Sequence, residues 1–371
     1  MTTPAAPLPG RLASLDAYRG FIMLAMVSGG LGTAGLRANP DWWPLAYQLE
    51  HLSWEGCTFW DLIQPSFMFM VGVSMPFAFA KRAESGATWG GQFLHVLKRC
   101  LLLCLIGFVL DSFSKTFVTI QFIRVLQQIA LGYFIAFFFL RLGPPGQIFG
   151  IVLLLGGHTL VYWLDGGWHA WDYTYRDANI GRQIDRALHR PFQDMVNPSV
   201  IPLSTGFYVT FNAVSSAATI LIGVVMGELL RSNRSAAAKA FLLLFAGGIL
   251  FGLGMLTGEW VPQVKRIWTA SFALLAAGWT CWMMLFFYLV IDVIGFRKLG
   301  WPFMVVGVNS IFIYVSAGIL NKTVANLLMP FTYYPLQHLG LWGPVVLASL
   351  VVFVQWLFCL FLYRHRIFFK V

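Results

Sequence analysis

The sequence predicts an all-α membrane protein, a polytopic bundle of about ten transmembrane helices with both termini cytoplasmic. Three observations carry this. Hydrophobic residues make up 58% of the 371 and charged residues only 11%, against about a quarter charged in soluble domains. Mean hydropathy is +0.72, and the apolar runs are long and continuous where barrel strands would alternate in polarity. Lys and Arg also gather at alternate ends of these runs: Arg11, Arg19, Lys81, Arg82, Lys98, Arg99, Arg141, Arg231, Arg234, Lys239, Arg297, Lys298, Arg364, Arg366 and Lys370 mark one side, while Arg37, Lys115, Arg176, Arg182, Arg186, Arg190, Lys265, Arg266 and Lys322 mark the other. By the positive-inside rule the richer side is cytoplasmic.

A span needs roughly 20 apolar residues, which places helices near 17–36, 59–80, 97–112, 120–141, 147–164, 206–230, 238–257, 268–292, 301–320 and 343–363. The Pro/Ala-rich segment 1–10 reads as a disordered tail. Basic residues, an apolar run and small residues up to Ala38 mimic a secretory signal, but an uncleaved first helix is the expectation. Gly143-Pro144-Pro145-Gly146 is a turn between spans. Gly223 and Gly227 let helices approach closely. The two long connections, about Leu36 to Thr58 and Asp165 to Thr205, keep the polar machinery outside. The five cysteines show neither a disulfide framework nor zinc spacing, so no metal is expected. The net charge of +10 reports topology and anionic headgroups, with no nucleic-acid partner implied. The expected localisation is the inner (cytoplasmic) membrane, multi-pass, with membrane lipids as neighbours; a homodimer is compatible with a sequence that leaves the oligomeric state open.

Against this apolar background His51-Leu52-Ser53-Trp54-Glu55-Gly56 and the following Asp61 stand out. Histidine exchanges a proton near neutrality and can act as an acyl-accepting nucleophile; it can equally be an interfacial ring with one wet end beside Trp54. Asp61 either orients that imidazole or complements a helix N-terminus. Arg124 is read as lying inside the fourth helix, with Asp111 as partner, and there it either shapes a wet pocket or forms a structural pair. Gln127 extends the polar strip inward. Asn212 and Asn309 can donate to a developing oxyanion or bridge helices. Ser310 joins Asn309 as a candidate pocket wall. Lys265 and Trp268 open a helix from outside and, with Trp54 and Glu55, are candidate residues of a substrate or acyl pocket, although a belt anchor explains Trp268 equally well. The inner cations Lys81, Arg82, Lys98 and Arg99 either hold the phosphates of a cytosolic donor or simply obey the positive-inside rule.

The segments Arg11-Leu12-Ala13-Ser14-Leu15-Asp16-Ala17-Tyr18-Arg19-Gly20, His51-Leu52-Ser53-Trp54-Glu55-Gly56, Asp61-Leu62-Ile63-Gln64-Pro65, Arg124-Val125-Leu126-Gln127-Gln128, Ile184-Asp185-Arg186-Ala187-Leu188, Trp268-Thr269-Ala270-Ser271-Phe272, Gly307-Val308-Asn309-Ser310 and the basic C-terminal end together resemble the heparan-α-glucosaminide N-acetyltransferase family of transmembrane acyltransferases. The resemblance implies an acyltransferase domain over 11–371, acetyl-CoA as cytosolic co-substrate, a sugar or glycan acceptor at the outer face, retention of the first helix, and a catalytic role for His51. Two departures stand against it. An asparagine frequent late in the family's first helix is replaced within Met26-Val27-Ser28-Gly29-Gly30, and the family's Asp-Pro-Glu-Gly element reads Asn197-Pro198-Ser199-Val200. With no large lumenal domain, the chain looks more like a bacterial member than a lysosomal one. The rival class is a transporter of a polar metabolite or lipid-linked sugar, for which inverted repeats and broken midplane helices would speak.

Overall fold

The computed structural model describes residues 12–113, 115, 118–193 and 207–369; the segments 1–10 and Asn197–Val200 singled out above lie outside them. Among the described residues the chain is helical, the one β contact being an isolated antiparallel bridge between Glu55 and Val264. Eight stretches are long and apolar enough to cross a bilayer, nine if the bent pair Ala13–Val27 and Gly30–Ala38 counts as one. The sequence estimate of about ten differs in part because one stretch, Val125–Trp171, runs 47 residues and holds two helices joined by a turn.

The chain folds as two compact units. The first takes residues up to His51, Thr58–Ile63 and everything from Trp282 onward. Its helices are α1 (Ala13–Val27), the short α2 (Trp43–Gln48) and, late in the chain, α11 (Arg297–Gly307), α12 (Ser310–Gln337) and α13 (Gly343–Arg364). The span expected over 17–36 stops at Val27: Gly29, Gly30, Leu31 and Gly32 all take positive φ, a left-handed run that no α-helix continues through, and the chain goes on at a bend of 50°. The span expected over 301–320 is likewise broken, because Asn309 at φ −120°, ψ 35° leaves the helical region; the membrane-length helix is α12, reaching Gln337.

Close backbone approach holds α1 to α11. A Cβ on Gly20 would sit 1.8 Å from the Phe303 carbonyl oxygen, so only glycine permits this crossing. A polar relay ties three helices together: Gln355 donates to Asn321 Oδ1 at 2.9 Å, Ser316 donates to Gln355 Oε1 at 2.8 Å, and Asn321 donates to the Val27 carbonyl at 2.9 Å. Such bonds fix register between helices that lipid alone would not hold in place.

The second unit contains Leu52–Cys57 and Gln64–Cys281. It is built from α3 (Ile63–Glu84) from Gln64 on, α4 (Trp89–Ser112), α5 (Val125–Phe139), α6 (Gly143–Gly166), the amphipathic α7 (Ile180–Gln193), α8 (Asn212–Arg231), α9 (Ala236–Gly258) and α10 (Ala270–Phe287) as far as Cys281. Local chemistry sets several starts. Thr88 accepts from Gly91 N–H at 3.2 Å and Ser235 from Ala238 N–H at 3.2 Å, each an N-cap. The prolines of the expected turn occupy the first turn of α6, where a missing N–H costs nothing. The anticipated glycine contact is present: a Cβ on Gly223 would meet the Phe69 carbonyl at 2.2 Å, so α8 and α3 touch backbone to backbone.

Candidate active site

His51 follows α2, and Asp61 lies in the 3-10 turn Phe59–Leu62 that leads into α3. The fold brings His51 Nδ1 to 2.8 Å from Asp61 Oδ1, with 44% of the histidine side chain exposed and 2% of the aspartate. An ionised carboxylate only accepts, so Nδ1 carries the proton and the Nε2 lone pair is the reactive end. The other oxygen, Oδ2, accepts from Thr58 N–H at 3.2 Å and lies 3.0 Å from the Thr58 hydroxyl. That hydroxyl also reaches the Glu50 carbonyl at 2.7 Å, two acceptors for its single proton. Thr58 and Asp61 form a reciprocal capping box.

Further bonds pin the segment on either side. Glu50 pairs with Arg37 at 2.7 Å, and Gln48 Oε1 accepts from Phe59 N–H at 2.9 Å. The Phe59 ring stands 6.2 Å from that of Phe21 in the middle of α1. Asp61 is therefore anchored through the turn that carries it, and it in turn fixes the ring of His51. Sequence reading passed over Thr58, although Thr58-Phe59-Trp60-Asp61 carries the spacing of a capping box, S/T-x-x-E/Q with Asp in the last place.

Trp54 and Glu55 belong to the second unit. Trp54 is 7% exposed and its indole donates to the Trp171 carbonyl at 2.7 Å. Glu55 bridges to Val264 and Gly56 N–H donates to the Gln263 carbonyl at 2.8 Å. Arg266 donates to the Ser53 carbonyl at 2.7 Å, while Lys265 is buried at 5% exposure. Asn212 Nδ2 donates to the Arg266 carbonyl at 2.8 Å. These residues fasten the hexapeptide to the segment before α10.

Several expectations need correction. Trp268, read as a membrane-belt anchor, has no exposure at all; it adopts φ +50° and its indole donates to Thr219 at 3.3 Å, so it is a packing residue. Arg124, read as a charge inside a helix, is the extended N-cap residue of α5. It does pair with Asp111 at 3.0 Å, but with 60% of its side chain exposed, which removes the cost that a buried charge would carry. Gln127 Nε2 donates to the same carboxylate at 3.3 Å. Asn309, read with Ser310 as a donor to the acyl oxygen, has both ends of its amide engaged: Nδ2 donates to the Ile367 carbonyl and Oδ1 accepts from Phe369 N–H, each at 3.0 Å. It fastens the C-terminal segment to the start of α12, where Ser310 is the first helical residue.

Of the four inner cations, Arg82 donates to His95 Nε2 at 2.7 Å and Arg99 lies over the Tyr133 ring at 4.7 Å. Lys81 and Lys98 are exposed. Among the described residues no group of three or more His, Cys, Asp or Glu side chains is placed to hold a metal ion.

Residues 11–179 match a family model described as the catalytic region of heparan-alpha-glucosaminide N-acetyltransferase. Over that stretch the chain is similar to the family's catalytic region. The human heparan-alpha-glucosaminide N-acetyltransferase is 23% identical over an alignment covering 98% of this chain and 60% of the human protein, and the mouse protein is 22% identical over 88% of this chain and 55% of its own length. The chain thus spans little more than half of each curated relative. Its long apolar helices are those of a multi-pass membrane protein, and its similarity is to a transmembrane N-acetyltransferase. The N-acetyltransferase match includes His51, Trp54, Glu55, Thr58, Asp61, the four inner cations, Arg124 and Gln127, and it stops before Asn212, Lys265, Trp268, Asn309 and Ser310.

Proposed function

We propose that this protein transfers an acetyl or other short acyl group from cytosolic acyl-CoA to an amine or hydroxyl of a sugar or glycan at the outer membrane face. The observation that carries the reading is the His51–Asp61 pair, in which a buried carboxylate orients a half-exposed imidazole through Nδ1. In this reading Nε2 takes the proton of an attacking amine or hydroxyl, or itself attacks the thioester carbonyl, expelling CoA thiolate and forming an acyl-imidazole that the acceptor later opens. Asp61 stabilises the imidazolium formed on the first route and holds the tautomer on both.

The donor phosphates are assigned to Lys81, Arg82, Lys98 and Arg99, with Arg82 and Arg99 already held by His95 and Tyr133. Trp54 and Glu55 keep a supporting role in shaping the segment around His51. Asn309 is not assigned to the acyl oxygen, because its amide is occupied by backbone.

The deciding experiment gives purified protein radiolabelled acetyl-CoA, with and without glucosamine as acceptor. The parent protein releases CoA and acetylates the acceptor, and the His51→Ala variant does neither. Equal turnover by parent and variant would remove His51 from the chemistry. Label retained on the parent protein alone, before acceptor is added, identifies the acyl-imidazole route.

A further inference from the structure

Where α6 leads into the 3-10 turn Gly167–Trp171, the second unit holds polar atoms that nothing satisfies. His158 has no exposure and neither ring nitrogen has a hydrogen-bond partner. One turn further along α6, Tyr162 is equally buried and its hydroxyl is unpartnered; the indole nitrogen of the nearly buried Trp171 is unpartnered too. On α8 the hydroxyl of the fully buried Ser215 completes the group. Aromatic stacking joins them: His158 to Tyr162 at 4.9 Å and Tyr162 to Trp171 at 5.5 Å between ring centroids.

The ring of Phe211 packs against two of them. It lies 5.0 Å from His158 at an interplanar angle of 14°, and 6.1 Å from Tyr162. Phe211 is itself only partly buried and is the N-cap residue of α8, where a side chain is less confined than within the helix. Ser215 lies four residues on, on the same face. A buried donor or acceptor without a partner is costly, and in native proteins such atoms are few and call for an explanation. Here two of them, His158 and Tyr162, lie against one apolar ring of about the size of a pyranose, and Trp171 stacks on the far partner, Tyr162.

We propose that Phe211 is a plug, and that the space it fills is a subsite for one uncharged pyranose ring of the acceptor. The hydroxyls of that ring satisfy His158, Tyr162, Trp171 and Ser215, and its C–H face lies on the aromatic rings. The inference rests on reading the acceptor as a sugar, but it makes no use of His51.

The test is thermal unfolding of the detergent-solubilised full chain across a glucose titration, with sorbitol at equal concentration as control for non-specific stabilisation by polyols. The parent protein shows a saturable rise in Tm with glucose beyond the sorbitol curve. Tyr162→Phe weakens the apparent affinity about tenfold. Phe211→Ala strengthens it about tenfold, because the binding-competent state no longer has to expel the plug; Phe211→Leu, still smaller than the native ring, serves where the alanine variant fails to fold. Glucose and sorbitol curves that coincide in both parent and Phe211 variant would overturn the proposal, as would Tyr162→Phe matching the parent. The acyl-transfer assay fails independently: saturable glucose binding with full transfer by His51→Ala keeps the subsite and discards the catalytic reading, and the reverse pattern does the opposite.

Discussion

Thr58 and Asp61 cap each other: Thr58 N–H donates to Asp61 Oδ2 at 3.2 Å, and Asp61 N–H reaches back to the Thr58 hydroxyl oxygen at 3.4 Å. Because Asp61 spends its second oxygen on this turn and its first on His51, the orientation of the imidazole depends on a helix-initiation device. Thr58→Val keeps the shape and removes the hydroxyl. It is expected to cost about 1 kcal/mol of stability, as lost N-caps do, and to lower kcat while leaving KM for acyl-CoA near the parent value. Thr58→Ser should restore both. Unfolding curves and steady-state kinetics on the three proteins decide it; a kcat unchanged in Thr58→Val would detach the cap from the chemistry.

Asp61→Asn tests the carboxylate itself. An amide of the same shape can present either an acceptor or a donor to Nδ1, so the required tautomer is no longer enforced. By comparison with other oriented imidazoles the rate should fall by about 10²- to 10⁴-fold. Unfolding curves separate this from a purely structural role: Tm should stay within a few degrees of the parent while kcat falls, and a kcat unchanged in Asp61→Asn would count against the carboxylate as the group that orients His51.

Much of this fold was legible in the sequence, for reasons that particular residues make plain. Apolar run length locates most helices because a bilayer demands it, and Gly223 announces a close crossing because only a missing Cβ allows one. The breaks were not legible. Positive φ at Gly29–Gly32 and the non-helical Asn309 interrupt runs whose hydropathy continues unchanged, so composition has no signal there. At the site, His51 and Asp61 stood out as polar groups in an apolar chain. Trp268 misled because a tryptophan near a span end suits a belt and a core equally well; its contact with Thr219 is tertiary information.

The Arg124–Asp111 pair separates charge from function. The arginine side chain is 60% exposed but the aspartate only 9%, so removing Arg124 lowers Tm by stranding a largely buried carboxylate. A purely structural pair predicts that Arg124→Gln leaves kcat/KM within about threefold of the parent. A loss of a hundredfold at unchanged Tm would return Arg124 to the substrate pocket. Double substitution with Asp111→Asn guards against reading the effect of a stranded carboxylate as catalysis.

Trp54→Phe is the most informative change in the hexapeptide after His51. The ring is buried, so phenylalanine keeps part of the packing, but the indole N–H that donates to the Trp171 carbonyl at 2.7 Å is lost. Leaving that carbonyl without this donor should cost about 1–3 kcal/mol, and the smaller ring adds a cavity cost of the same order. Trp54 also packs with Tyr162, Trp171, Val209, Val264 and Ile267 in one apolar cluster. The destabilisation should therefore be felt through the loop containing Trp171 and the segment before α10 together, which amide exchange across both segments would report. Were exchange to rise near Trp54 alone, the indole bond would be a local tether, and the cluster would not move as a unit.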